Sequence, residues 1–136
     1  MINEPKKILI VDDDLEFLQE FSELMTSGGY NVNTCSDGES ALNIIPELMP
    51  DLILLDLKMN KINGFQVAER LRQMRKVCNI PVIAITGFYT QEEYSLMMRV
   101  CGIKKYIIKP IDPGKIVQDV EEVISSKSRN MGSSLR

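Results

Sequence analysis

The sequence predicts an α/β domain, a doubly wound parallel sheet of five strands with helices on both faces. Short apolar runs alternate with longer amphipathic stretches along the chain, and this alternation is typical of parallel strands joined by right-handed helical crossovers. Three of the apolar runs also stop at charged residues, namely Asp12, Asp56 and Lys109. Because the carboxyl ends of parallel strands share one edge, the pattern places these charges in one crevice, the usual ligand site of such folds.

The first strand and the first helix have clear boundaries in the sequence. The run Ile8–Val11 is short, aliphatic and stops at acids, which predicts a strand buried on both faces. Asp14 is suited to cap the amino end of a helix over Leu15–Ser27. The pair Gly28-Gly29 supplies a left-handed stop for that helix.

The rest of the chain continues the alternation. Pro46 falls inside one predicted helix and is expected to shorten or kink it. Residues 127–136 lack an apolar period, so we expect a domain over residues 1–126 followed by a disordered tail or linker stub. The remaining strands are predicted at Tyr30–Thr34, Asp51–Asp56, Pro81–Thr86 and Lys105–Ile108, and the remaining helices at Glu39–Leu48, Gly64–Lys76, Gln91–Cys101 and Pro113–Ser125.

Composition excludes several classes of function. The chain has 136 residues, 44% hydrophobic and 26% charged, as expected for one globular domain. A net charge of −3 gives no basic footprint for nucleic acid, and no apolar run reaches membrane-spanning length.

The N-terminus does not resemble a signal peptide, so the predicted location is the cytoplasm. The absence of histidine excludes Ser-His-Asp and Cys-His catalysis, and three cysteines without C-x-x-C spacing disfavour disulfides and zinc.

The charged residues at the strand ends point to chemistry when they are taken together. Asp12-Asp13-Asp14 alone could be a helix cap, Thr86 could cap another helix, and Lys109 could be a surface lysine before a proline. Their order after successive strands favours a shared site instead. Three carboxylates near one lysine predict a divalent cation and an anionic ligand.

These residues resemble the receiver domain of two-component response regulators, from about Lys7 to Ser125. The resemblance is an acidic pair after the first strand, Asp56 ending the third, Thr86 ending the fourth and Lys109-Pro110 after the fifth. It implies a flavodoxin-like fold with strand order 2-1-3-4-5. It also implies a signalling domain, not an enzyme, that takes a phosphoryl group onto Asp56 from a phosphohistidine of a histidine kinase or phosphotransfer protein.

The resemblance assigns further roles at the site. The cofactor would be Mg²⁺ or Mn²⁺, held by Asp12, Asp13, Asp56 and the backbone carbonyl of Lys58. Thr86, Gly87 and Lys109 would contact the phosphoryl oxygens, and Tyr106 would take part in the switch. Lys58 and Phe88 would slow hydrolysis of the acyl phosphate. The downstream effector, and whether the chain stands alone or belongs to a longer regulator or hybrid kinase, stay open.

The loop after Asp56 departs from the usual receiver pattern. Asn60 stands where most relatives have proline and Asn63 where aspartate is common. We therefore expect a less rigid loop, with Gly64 still permitting a tight turn into the next helix.

Two rival functions remain. Asp12-x-Asp14 superficially resembles the nucleophile motif of haloacid-dehalogenase-type phosphatases, although Glu16 stands where that family expects threonine. The other rival is a pseudo-receiver that only binds partners, which the complete set of site residues argues against.

The first helix carries two apolar stripes. One stripe is predicted to face the sheet and the other to stay exposed as a docking surface for the helices of a phosphohistidine donor. The first stripe is Phe17, Phe21 and Leu24, and the second is Leu15, Leu18 and Met25.

Overall fold

The computed structural model describes residues 4–87, 95 and 99–134, with side chains described as far as residue 126. Its five parallel strands lie in the order β2-β1-β3-β4-β5, which confirms the predicted fold. In chain order the elements are β1 (Lys7–Val11), α1 (Leu15–Ser27), β2 (Asn31–Cys35), α2 (Gly38–Leu48), β3 (Leu52–Asp56), α3 (Gly64–Arg72), β4 (Val82–Thr86), β5 (Ile103–Ile108) and α4 (Pro113–Ser134).

The three inner strands β1, β3 and β4 are buried on both faces. Alternate side chains point to opposite faces of a strand, so each inner strand supplies two cores. Leu9 and Leu55 pack in a core on the side of α2 and α3, whereas Ile10 and Leu54 pack on the side of α1 and α4. This two-sided burial explains why the inner strands are continuous aliphatic runs.

Side-chain caps set where the helices begin. The carboxylate of Asp14 accepts hydrogen bonds from the backbone N–H groups of Glu16 and Phe17, as predicted. Asp37 caps α2 in the same way through Ser40 N, at 2.8 Å. The first helix ends as predicted, with Gly29 in the left-handed region at φ 95°.

Two helices in the middle of the chain differ from expectation. α2 ends at Leu48 as predicted, but Pro46 does not shorten it, because the proline stands so near the carboxyl end that its missing N–H interrupts little of the helix. α3 ends at Arg72 rather than near Lys76. Its chain continues in tight turns, with Val77 N donating to Met74 O at 3.0 Å, and these turns bury the Val77 side chain.

The last helix is longer than predicted. α4 runs to Ser134, so the backbone of residues 127–134 is helical where we expected a disordered tail. A helix that is already nucleated can extend without a second nucleation cost, and no proline interrupts this stretch. Most of the predicted helix Gln91–Cys101 lies outside the described residues, although residues 99 and 100 are helical.

The prediction of two separate stripes on α1 is wrong. Leu18 and Met25 are buried along with Phe17 and Phe21, and they share one core with residues of α4. The cause is that the sheet and α4 together enclose a wide face of α1. Leu15 alone of the second stripe stays open, with 69% of its surface exposed.

Among the described residues, no helix is both long enough and apolar enough to cross a membrane.

Candidate functional site

Four of the predicted site residues meet at the carboxyl edge of the sheet. Asp12 follows β1, Asp56 ends β3, Thr86 ends β4 and Lys109 follows β5, and these strands are neighbours. Asp12, Asp56 and Thr86 are also the buried polar or charged residues among the described side chains. Burying such groups is unfavourable unless they are paired, so their concentration at one edge makes this edge the candidate functional site.

The acids form a cluster of oxygen ligands. One carboxylate oxygen from each of Asp12, Asp13 and Asp56 lies within 4.8 Å of the others. Asp12 and Asp56 are buried, whereas Asp13 faces solvent. Asp12 is also oriented by the backbone N–H of Asp14, which donates to its Oδ1 at 2.9 Å. Closely spaced hard oxygen donors of this kind suit Mg²⁺ or Mn²⁺ and are a poor match for zinc.

Lys109 supplies positive charge to this cluster. Its Nζ lies 2.9 Å from Oδ2 of Asp12, and its side chain is 25% exposed. The backbone holds the residue in place, because Lys109 N donates to the carbonyl of Thr86 at 2.7 Å. The lysine therefore sits between the end of β4 and the carboxylate that follows β1.

The pKa of Asp56 is raised to about 7. Burial is the largest cause, since it disfavours the charged form, and the nearby negative charge of Asp12 adds to it. The backbone N–H of Lys58, which donates to Oδ1 of Asp56 at 3.1 Å, and the charge of Lys109 act in the opposite direction. Burial without a cation therefore favours the protonated form of the Asp56 carboxyl group.

The loop that follows Asp56 is held by contacts that its sequence did not suggest. A Cβ atom at position 64 would collide with the backbone carbonyl of Asp56, so glycine is needed there for close approach rather than for a special φ. Asn63 and Gln66 form a reciprocal capping box at the start of α3. The left-handed residue of this loop is Lys61, at φ 65°. The capping box orders the part of the loop where we expected less rigidity.

The remaining predicted site residues lie at or beyond the rim. Tyr106 is on the edge strand β5, paired with Ala84 of β4, and it is 47% exposed. Gly87 follows Thr86, and open space surrounds the position that a Cβ atom would take there. Phe88, the predicted regulator of hydrolysis, lies outside the described residues.

Phe17 is a residue at the site that the sequence reasoning assigned only to the core. The Nζ of Lys109 lies over its ring, 4.4 Å from the ring centroid. The missed signal is its position three residues after the capping Asp14, because side chains in the first turn of a helix point back toward the amino end. Phe17 therefore contributes to the core and to the charged edge at the same time.

Comparison with known proteins agrees with this fold. Residues 8–121 match the family model described as the response regulator receiver domain, and the chain belongs to that family. The polar-differentiation response regulator DivK of Brucella anthropi is 30% identical over 120 residues, which make up 88% of this chain and 97% of DivK. The crystal structure of a CheY-like receiver domain protein from Methanospirillum hungatei superimposes with a TM-score of 0.86 at 27% identity, covering 93% of this chain and 98% of that one.

Other relatives are much longer than this chain. The alkaline phosphatase synthesis transcriptional regulatory protein PhoP of Bacillus subtilis is 32% identical over 120 residues, which make up 88% of this chain but 48% of PhoP. The chain spans about half the length of several curated relatives that it matches and nearly all of DivK. The match to the receiver family favours the receiver function over the phosphatase of the haloacid-dehalogenase type considered above.

Proposed function

We propose that this domain accepts a phosphoryl group onto Asp56 from a phosphohistidine of a histidine kinase or phosphotransfer protein. The observation that carries the proposal is the position of Asp56. It is a buried carboxylate at the end of a central strand, with oxygen atoms of Asp12 and Asp13 within 4.8 Å of its own, and the Lys109 ammonium is paired with Asp12 of the same cluster. The domain would catalyse only its own phosphorylation and dephosphorylation.

The proposed transfer exchanges one bond for another. An oxygen of the Asp56 carboxylate bonds to phosphorus while the phosphorus–nitrogen bond of the phosphohistidine breaks, and that electron pair stays on the imidazole nitrogen. Only the ionised carboxylate can attack, so the raised pKa of Asp56 matters directly. Lys109 would offset the added negative charge, and the Thr86 hydroxyl would donate to a phosphoryl oxygen.

A hard divalent cation fits the same residues. Asp12, Asp13 and Asp56 already present oxygen atoms within 4.8 Å of one another, and we propose the backbone carbonyl of Lys58 as a further ligand. Mg²⁺ or Mn²⁺ bound there would neutralise part of the negative charge that accumulates during transfer.

The response to phosphorylation would begin at Thr86 and Gly87. In the proposed switch the threonine and Lys109 move toward the phosphoryl group, and Tyr106 leaves its exposed position for the space that is vacated. Leu15, exposed directly after the acidic turn, is the residue of the first helix best placed to meet a donor protein. Such transfer from a kinase fits a cytoplasmic location.

The main test is phosphorylation by acetyl phosphate with Mg²⁺, followed by intact mass. Wild type should gain one phosphoryl mass and Asp56→Asn should gain none. Asp51→Asn is the matched control, because Asp51 lies just before the opposite end of the same strand, where its carboxylate accepts from Lys7 N at 2.8 Å. Labelling of Asp56→Asn would show that the acceptor is another residue, and steady turnover of a phosphate ester would indicate a phosphatase instead.

Two further variants separate the other roles. Asp13→Asn should mainly weaken Mg²⁺ binding, whereas loss of Lys109 should block the conformational response more than metal binding. We also propose slow hydrolysis, because Lys58 stands two residues past Asp56, Phe88 stands two residues past Thr86, and a phenylalanine cannot orient an attacking water. A Lys58→Asn, Phe88→Glu double variant should lose its phosphate faster than wild type, and an equal or longer lifetime would contradict this.

A further inference from the structure

A closed set of contacts joins the acidic turn to Lys109. The backbone N–H of Asp14 donates to Oδ1 of Asp12 at 2.9 Å, and Oδ1 of Asp14 accepts from the backbone N–H of Phe17 at 3.2 Å. The Phe17 ring lies 4.4 Å from Nζ of Lys109, and that ammonium lies 2.9 Å from Oδ2 of Asp12. The start of α1 therefore positions both groups that hold the lysine. Its capping residue Asp14 orients the Asp12 carboxylate, and its first turn supplies the Phe17 ring.

The face of an aromatic ring is a favourable second support for an ammonium group. Its negative quadrupole attracts the cation at centroid distances below about 6 Å, and more strongly where water is excluded. Here the phenylalanine is 8% exposed, and the Asp12 carboxylate is fully buried. The ring of Phe21, one turn further along α1, stacks on it with centroids 4.4 Å apart and planes at 27°.

We infer that Phe17 is a positioning residue for Lys109, and this inference rests on the proposed role of Lys109 as a phosphoryl contact. A lysine has a flexible four-carbon stem, so one ion pair leaves its ammonium several alternative positions. A cation held by Asp12 would also compete with that ion pair. The ring is independent of the metal ligands, and it keeps Nζ at the sheet edge when the carboxylate is shared.

A purely structural role for Phe17 would not require contact with Lys109. Phe21 allows the two roles to be separated, because it is buried in the same core one turn further along α1. Phe17→Leu removes the aromatic ring but keeps an apolar side chain, whereas Phe17→Tyr keeps the ring. Phe21→Leu removes an aromatic ring one helical turn away. These three variants form the matched set.

The direct readout is nuclear magnetic resonance of the metal-free protein with ¹³C-labelled lysine. The ring current of Phe17 should shift the Cε protons of Lys109 upfield, and the signal is assigned by its loss in Lys109→Arg. We expect the shift to persist in Phe17→Tyr and Phe21→Leu. In Phe17→Leu the signal should return to the position of exposed lysines.

The second readout is the rate of labelling by acetyl phosphate at saturating Mg²⁺, well below the melting temperature of each variant. Phe17→Leu should label about two- to fivefold more slowly, the effect expected of a partly buried cation–π contact. Phe17→Tyr and Phe21→Leu should label at the wild-type rate. The inference would be overturned by an unchanged Lys109 signal in Phe17→Leu, or by an equal loss of rate in Phe21→Leu.

A wild type that gains no phosphoryl mass would overturn the proposed function instead, and the lysine signal would still decide whether Phe17 positions Lys109.

Discussion

The inner strands and the edge strand β5 contribute to the site in different ways. Every residue of β3 and β4 is buried, and these strands end at Asp56 and Thr86. On β5 burial alternates with exposure, and Tyr106 and Ile108 are 47% and 42% exposed. The pairing of β4 with β5 also has a register irregularity, which the pairings of the inner strands do not show.

This difference separates the fixed half of the site from the half that can move. The acids stand on strands packed between two cores, where any displacement disturbs close packing on both faces. Tyr106 lies on β5 and Lys109 directly follows it, and this strand has one face open to solvent and can shift at a smaller loss of packing. This division suits the proposed function, in which the phosphoacceptor Asp56 stays in place while Tyr106 and Lys109 move in response.

The largest difference in stability should appear between isoleucines on the two kinds of strand. Ile85 of β4 is fully buried next to Thr86, whereas Ile108 of β5 is 42% exposed. Ile85→Ala should lower the free energy of unfolding by about 3 kcal/mol through lost burial and a cavity. Ile108→Ala should cost less than about 1 kcal/mol. Urea denaturation measures both, and similar costs would contradict the division of the sheet.

The same contrast applies to two leucines of α1. Leu18→Ala should cost about 2–3 kcal/mol of stability, because its side chain is 6% exposed in the core below the acidic edge. Any loss of labelling should then be equal with acetyl phosphate and with a kinase as donor. Leu15→Ala, at an exposed position, should leave stability and acetyl phosphate labelling unchanged and slow only transfer from the kinase. Normal transfer from the kinase in Leu15→Ala would remove this residue from the docking surface.

Ionisation of Asp56, in the fixed half of the site, should destabilise the metal-free protein as the pH rises from about 4 to 7. Because the pKa of Asp56 is raised from 3.8 to about 7 in the folded protein, the folded state keeps a proton between these pH values that the unfolded state releases. Stability should therefore be greatest below about pH 4 as far as Asp56 is concerned, and should fall as the pH rises to 7. Asp56→Asn in EDTA should therefore be more stable than wild type at pH 8.

The check on this prediction is the difference in melting temperature between the two proteins across pH. The difference should be small at pH 4, where Asp56 is neutral in the folded protein, and should grow up to pH 8. A difference that is constant across this range would show that the effect comes from side-chain packing rather than from ionisation.

The smallest effect is expected on the open side of β5. Lys105 pairs with Asp119 at 3.2 Å and with Glu122 at 2.9 Å, and its side chain is 32% exposed. Solvent screens such pairs, so Lys105→Ala should lower stability by about 0.2–1 kcal/mol. Urea denaturation at low and high salt should show the cost disappearing as ionic strength rises. A cost that is large and independent of salt would mean that β5 is held more firmly than its exposure indicates.

Sequence reasoning succeeded where a local pattern has a single physical solution. The aliphatic runs at Ile8–Val11 and Leu52–Leu55 could only be strands buried on both faces, and the capping Asp14 and the stop at Gly29 set the bounds of α1. It failed where burial depends on what another element covers. Leu18 and Met25 read as a separate stripe, because the sequence of α1 does not reveal how widely the sheet and α4 enclose it.

The sequence by itself determined the parallel α/β fold, the family and the set of charged residues at one sheet edge. The fold and the shared edge follow from periodicity and order along the chain, which are local properties, and the family follows from the resemblance of the residues at the strand ends to those of receivers. Tertiary structure alone decided which charges are paired and how strongly burial perturbs them. Asp12 binds Lys109 across 97 positions of sequence, and Phe17 faces the same ammonium. Such contacts depend on distances set by the packing of separate elements, and spacing along the chain carries no information about those distances.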